Sequence, residues 1–277
     1  MKNKTIFIGI FIISCASVFG QSPWTQGKNK AFIQTGISGI FYDKIRLDAN
    51  EVSLNTDISD VTTQLYSEYG ITNDLDISII LPYKTITSKF KDGSNAATLS
   101  GFGNLLVGLK YKICDKSWKI SSGLYYSAQS NNTNELFSLR TGYGAATFMP
   151  YLSAGTSKNN WYYYANFGYG LMTNSYTDFL KIGGELGYKF AKNTHIIFNL
   201  DFKKALKTED YSNSIDNSIY KQTTLYTDKQ EFYGLGIKLN HEFVADKFGV
   251  NLGAIGAFYL NNLPAAPSIN TGIYYKM

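Results

Sequence analysis

The 277-residue chain has only two cysteines and two histidines, its arginines are Arg46 and Arg140 alone, and past residue 20 it has no apolar run near the ~20 residues a membrane-crossing helix needs. Each shortage excludes something. Cys15 lies in the leader, which leaves Cys114 without an intramolecular disulfide partner. Two histidines and one thiol do not compose a typical zinc site, so neither a metal nor any other cofactor is expected. The net charge of +5 comes almost wholly from lysine, without a basic run, and carries no nucleic-acid footprint. Nor is there the arginine ladder that would bind acidic oligosaccharides through bidentate carboxylate contacts.

What the chain has is aromatic residues, 22 Tyr and 18 Phe, in a sequence whose mean hydropathy is slightly negative. That combination suits barrel strands, in which lipid-facing residues are diluted one for one by lumen-facing ones, although a soluble β-sandwich shares the composition. The first residues read as a secretion signal: Lys2 and Lys4 precede an apolar run over 5–13, and Val18-Phe19-Gly20 ends in small residues at the cleavage positions. Cleavage there starts the mature chain at Gln21. Ile12-Ile13-Ser14-Cys15 also resembles a lipobox, which would instead put a lipid on Cys15.

The clearest pattern is a hairpin over 61–83. Val61, Thr63, Leu65, Tyr69 and Ile71 fall on one face and Gln64, Tyr66, Glu68 and Gly70 on the other, the period of a strand. After a polar turn at Thr72-Asn73-Asp74 the alternation resumes, with Leu75, Ile77, Ile79 and Leu81 against Asp76 and Ser78. Such hairpins are the repeating unit of a transmembrane barrel. Taking residues 21–30 as a polar periplasmic segment, the rest (31–277) reads as an all-β, transmembrane antiparallel β-barrel of about twelve strands with a narrow lumen. The strands are expected at 31–42, 61–71, 75–83, 102–113, 118–128, 143–155, 161–172, 179–190, 194–203, 230–243, 247–260 and 269–277. Short turns alternate with longer polar connections, notably 43–59, 87–101 and 205–229. An even strand count leaves both termini on the periplasmic side.

Charge keeps phase with this pattern. Glu68, Asp76, Lys84, Lys110, Lys112, Lys119, Lys181, Glu185, Lys189, Asp201, Lys203, Lys238, Glu242 and Lys276 all lie on the face opposite the apolar one. A lysine facing lipid near mid-membrane would cost roughly 2–4 kcal/mol, so these side chains are expected to line the lumen. Nine lysines against five carboxylates make that interior mixed and mildly cationic, and in a narrow bore such charges can pair and partly plug it. Tyr111, Trp118, Trp161, Tyr188 and Phe190 sit beside short turns, where an interfacial girdle belongs.

At Leu81-Pro82-Tyr83, and again from Ser100-Gly101-Phe102-Gly103-Asn104-Leu105 to Gly108-Leu109-Lys110-Tyr111, the sequence resembles the outer-membrane family named for meta-pathway phenol degradation, loosely described as transporters. Asn104 stands where that pattern usually has Asp, and a Pro-Thr-Gly loop is missing between Gln129 and Thr141. The resemblance implies a barrel in a Gram-negative outer membrane passing small hydrophobic or aromatic compounds, and it brings no catalytic or ligand residues. The terminal strand, Gly272 onward, is similar to the signal read by the barrel-assembly machinery, with Met277 in place of the usual Phe. The partners expected are therefore outer-membrane lipid, that machinery during biogenesis and an unidentified small solute.

No constellation for catalysis emerges. Strand phase turns His195 inward and His241 toward lipid, both near periplasmic turns and without a nucleophile beside them in sequence. Asp210, Asp216 and Asp228 lack calcium-loop spacing. Gly101-x-Gly103 and Gly168-x-Gly170 lack the dinucleotide-loop pattern and its helix. A channel is the first expectation and no enzyme is expected; a surface-adhesive barrel acting through 43–59 and 205–229 comes second, and a lipid-modifying enzyme third.

Overall fold

The computed structural model describes residues 21–47, 50–206 and 222–277. The leader, the lipobox cysteine, Asp210 and Asp216 lie outside the described residues. Twelve antiparallel strands close one barrel: β1 (Ala31–Leu47), β2 (Asn50–Gly70), β3 (Leu75–Phe90), β4 (Leu106–Asp115), β5 (Lys119–Ser127), β6 (Thr147–Lys158), β7 (Trp161–Met172), β8 (Phe179–Ala191), β9 (Thr194–Ala205), β10 (Glu231–Val244), β11 (Phe248–Asn261) and β12 (Ser268–Lys276). Each pairs with its sequence neighbours, and β12 returns to β1 in register from Phe32 opposite Lys276 to Ile40 opposite Ser268. Closure leaves no sheet edge inside the wall, which is what lets strands cross a bilayer.

The burial pattern inverts that of a soluble domain. Leu65, Ile79, Leu109, Leu124, Leu152, Phe167, Leu200 and Leu235 stand on the outer surface, whereas Asp76, at 1% exposure, and Glu68, Lys110, Asn166, Asn199 and Asn251 are buried inside. Aromatics bound this apolar belt at both ends. Trp118 packs edge-on against Tyr163, and Trp161 lies tilted against Tyr188 with ring centroids 4.4 Å apart, at the short-turn end. Tyr83 with Phe102 and Tyr126 with Phe148 form a second girdle toward the long loops, which the sequence reading had not singled out. From Trp118 to Tyr126 the wall rises roughly 20 Å along the axis, at ~3.3 Å per residue and ~40° tilt, close to the ~25 Å apolar band of outer-membrane barrels.

Two expected connections are strand. Residues 43–47 and 50–59 continue β1 and β2, paired as far as Leu47 opposite Asn50, and 87–101 contains the end of β3 and most of a further strand, Ala96–Phe102, paired with it. Beyond the girdle neither face of the sheet meets lipid, so the apolar/polar code lapses while the backbone ladder continues. A bulge at Asp43 also reverses the phase of β1, turning Ile45 inward. There Tyr42, Ile45, Ile58, Ile86, Leu139, Leu225 and Ala266 form a small apolar core. The sixth strand starts at Thr147 rather than 143, because Thr141, Gly142 and Tyr143 fold inward against Asn104 and Ser130. Thr223, Thr224, Leu225 and Thr227, the described end of the longest loop, are likewise buried in the mouth of the barrel.

Candidate solute cavity

At the short-turn end the bore is filled by residues 21–27. Gln21 and Pro23 are buried, and the Trp24 ring meets Tyr162 and Tyr164 edge-on at 5.9 and 5.7 Å. The passage is fitted closely: a Cβ on Gly70 would lie 1.9 Å from the Gly27 carbonyl oxygen, so only glycine admits the segment there. Lys110, from β4, holds it electrostatically. Its ammonium donates to the Trp24 carbonyl at 2.6 Å and to Glu68 of β2, and lies 3.6 Å from Asp76 of β3. Gln26 completes the knot, its backbone N–H donating to Asp76 at 2.9 Å and its side-chain amide to Glu68 at 3.2 Å. Tyr66 donates to the same Glu68 carboxylate at 2.8 Å. Charges buried this deeply persist only when paired and hydrogen-bonded; three adjacent strands and the segment supply those partners.

The other candidate residues divide by depth. Glu185 accepts from Lys238 at 3.0 Å, Asn199 at 2.8 Å and Tyr162 at 3.0 Å, and Lys181 faces Asp201 at 3.4 Å. Glu242 accepts from Lys276 at 2.6 Å and from the Asp246 backbone N–H at 3.0 Å, close to a turn. Lys112, Lys119 and Lys189 stand at the turn-end rim. Lys112 reaches Asp115 at 3.0 Å and Asp74 at 3.1 Å, Lys119 pairs with Asp115, and Lys189 is exposed.

The opposite end is closed by loops. Asp228 accepts from the Thr177 backbone N–H at 2.6 Å and from its hydroxyl at 2.8 Å, tying the β9–β10 loop to the β7–β8 loop. Tyr42 donates to the Thr223 carbonyl at 2.9 Å, and Gln230 to the Thr224 carbonyl at 2.7 Å. Arg140 donates to Tyr176 at 2.9 Å; burial pushes the Tyr176 hydroxyl up, so it stays neutral there. Asn104 anchors the β5–β6 loop, donating to the carbonyls of Ala128 at 2.7 Å and Tyr143 at 2.9 Å while accepting the Tyr143 N–H at 2.7 Å. An aspartate could make only the last of these contacts, which explains the amide at this position.

Between segment and loops lies a cavity of about 310 Å³. Its wall carries Ile40, Ile80, Leu106, Met149, Met172, Tyr125, Phe179 and Phe232, with Lys84, Lys181, Lys203 and Asp60 among them and Tyr143, Tyr226 and Thr224 above. Lys84 reaches both Asp60 oxygens and Thr62, at 3.0, 3.0 and 2.8 Å. Lys203 donates to the Tyr143 hydroxyl at 3.2 Å and lies 4.4 Å from the Phe179 ring centroid. Of the fourteen charged residues expected from sequence to line the lumen, Lys84, Lys181 and Lys203 reach this wall; most of the rest lie toward the turns. Asp60, Tyr143, Phe179 and Tyr226 were missed. Strand phase could have found Asp60, two residues before Thr62 on the Gln64–Glu68 face; the loop tyrosines give no periodic signal. Among the described residues no three His, Cys, Asp or Glu side chains gather as a metal would require.

Comparison with known proteins agrees with this architecture. Residues 25–181 match the model of the family described as "Putative MetA-pathway of phenol degradation". Among solved structures, an outer membrane channel from Pseudomonas putida F1 superposes with a TM-score of 0.70 at 14% identity, covering 96% of this chain and 100% of that one. The KdgM porin gives a TM-score of 0.53 at 10% identity (87% and 98% coverage), and the NanC porin 0.51 at 11% (89% and 100%). No curated protein matches. At these identities the superpositions speak to fold, and the neighbours are channels and porins rather than enzymes.

Proposed function

The chain belongs to the MetA-pathway phenol-degradation family, and from that premise we propose that it is a channel of the Gram-negative outer membrane that passes a small solute of hydrophobic or aromatic character. The observation that carries this reading is the mid-barrel cavity of about 310 Å³, walled by rings, methionines and aliphatic side chains and edged by lysines. A ligand site of this kind is concave and mostly apolar, with a few placed polar groups. An open sixteen-stranded porin has a water-filled bore that sieves by size; twelve strands enclose less, and here the N-terminal segment and the loops occupy part of it. Passage thus requires the solute to enter the cavity past Tyr143 and Tyr226 and to leave past Trp24, each a packed contact that must yield. The solved channel and porins with the same architecture support the assignment, as does the apolar belt with its two aromatic girdles.

Reconstitution into a planar bilayer tests the proposal. Discrete conductance steps that shorten or flicker when a small aromatic solute is added are the expected result. A silent, correctly folded barrel that also fails to pass small solutes in a vesicle-swelling assay would refute it. A surface-adhesive role has one observation in its favour, the β1–β2 hairpin carried past the girdle with Asp43, Lys44, Arg46 and Glu51 on its exposed faces. Shortening that hairpin distinguishes the two readings: binding to surfaces would be lost and conductance retained.

A further inference from the structure

We propose that Gln21 is a modification site: once the leader is removed behind Gly20, its α-amine closes onto its own side-chain amide, and the N-terminal segment seats in the bore by a neutral pyroglutamyl end. The cleavage position is the one expected from Val18-Phe19-Gly20. The carrying observation is the buried amide itself. Gln21 is 3% exposed inside the barrel, and its Nε2 has no hydrogen-bond partner. Thr25 and Gln26 of the same segment are satisfied, donating to the Asn73 carbonyl and to Glu68. A buried amide nitrogen without an acceptor bears the full desolvation of its donors.

A free chain start adds to that burden. An α-amine titrates at about 8 and is mostly protonated at neutral pH, so the same residue would carry a charge into the bore. The carboxylates at this end are already engaged. Glu68 accepts from Lys110, Gln26 and Tyr66, and Glu185 from Lys238, Asn199 and Tyr162. Asp76 accepts the Gln26 N–H and has Lys110 3.6 Å away; its Oδ1 is buried without a partner, but it is tied to the opposite end of the segment from Gln21. Ring closure removes both liabilities in one step. The α-nitrogen attacks Cδ, a lactam C–N bond forms, the Cδ–Nε2 bond breaks, and the departing nitrogen leaves as ammonium with the proton that the α-amine had held. No oxidant or reductant takes part. An ammonium and a primary amide become one lactam N–H, with Oε1 kept as an acceptor. Closure takes place on the exported chain before the barrel folds, because the folded bore encloses the residue.

The test uses the full chain purified from the outer membrane of the cells that make it. The protein is unfolded and its amines are blocked by reductive dimethylation before digestion, so that only closure already present is read. Trypsin, confined by the blocked lysines to arginine, then releases peptide 21–46. This peptide is expected to carry no label on its α-nitrogen and to be lighter than the encoded sequence by one ammonia, about 17 Da. Gln21→Asn keeps an amide but is one carbon too short to form the five-membered ring, and should be labelled and of full mass. In the folded variant the Gln26 N–H, bound to Asp76 in the wild type, should exchange with deuterium at least threefold faster. A wild-type chain beginning at Gln21 with a dimethylated α-nitrogen would overturn the proposal, as would a mature chain that begins elsewhere, at a lipidated Cys15 included. Wild-type exchange at Gln26 in Gln21→Asn would overturn the claim that the neutral end seats the segment.

Discussion

Lys110→Met removes the cation on which the inner closure is centred. The ammonium touches Glu68, Asp76 and the Trp24 carbonyl, and all three charged side chains are buried. Taking away one partner of a buried pair costs about 3–5 kcal/mol, because the remaining charge is left without compensation; here two carboxylates are left facing each other. The barrel wall is held by backbone ladders on both sides of β4, so the strain falls first on the least constrained participant, residues 21–27. If that segment bears most of the loss, its released population rises on the order of a hundred- to a thousandfold, at a factor of ten per ~1.4 kcal/mol. Glu68→Gln should act more weakly, since Lys110 keeps Asp76 and the Trp24 carbonyl. Single-channel recording reads the effect directly: long openings of larger conductance in Lys110→Met, shorter ones in Glu68→Gln, rare ones in the wild type. Wild-type gating in a folded Lys110→Met barrel would refute the reasoning that this ion cluster keeps the segment docked.

Three other outcomes follow from separate observations. Gly70→Ala forces a Cβ within 1.9 Å of the Gly27 carbonyl oxygen and should expel the same segment with no change in charge, read as the same conductance increase. Asp228→Asn weakens the two short contacts to Thr177; limited proteolysis of intact vesicles should cut the β9–β10 loop faster, with barrel stability unchanged. Leu124→Lys puts a charge at mid-height on the outer face of β5 and should lower the free energy of folding into lipid by about 2–4 kcal/mol, measured by urea titration in vesicles.

The parts of this molecule written in its sequence are those that touch lipid. Val61 to Tyr83 was readable as a hairpin because a bilayer on one side and polar contacts on the other enforce a two-residue alternation, and the same constraint marked Glu68, Asp76, Lys110 and Glu185 as inward. Where lipid stops, the code stops: residues 43–47 and 50–59 are strand, but Ser53, Asn55, Asp57 and Ser59 give no apolar period, and Ile58 and Ile86 face inward onto a small core. The inner closure was hidden for a different reason. Gln21 to Gln26 is too short and polar to show periodicity, and its fit depends on Gly70 and on three charges brought together by register across β2, β3 and β4. The cavity was hidden likewise, since Tyr143 and Tyr226 come from loops whose path is fixed by Asn104 and Gln230. The resemblance at Leu81-Pro82-Tyr83 and Ser100 to Leu105 has a physical basis in the same place: Gly103 donates to the Pro82 carbonyl at 3.0 Å, and there the wall breaks so that Asn104 can turn inward.

The most direct test of a channel built around this cavity is protein-dependent uptake of radiolabelled benzoate and of a labelled neutral aromatic into proteoliposomes, comparing the wild-type chain with Lys110→Met. The expected result is saturable uptake by the wild type and faster uptake by the variant. Equal label in protein-free vesicles and in vesicles holding either folded barrel would contradict it.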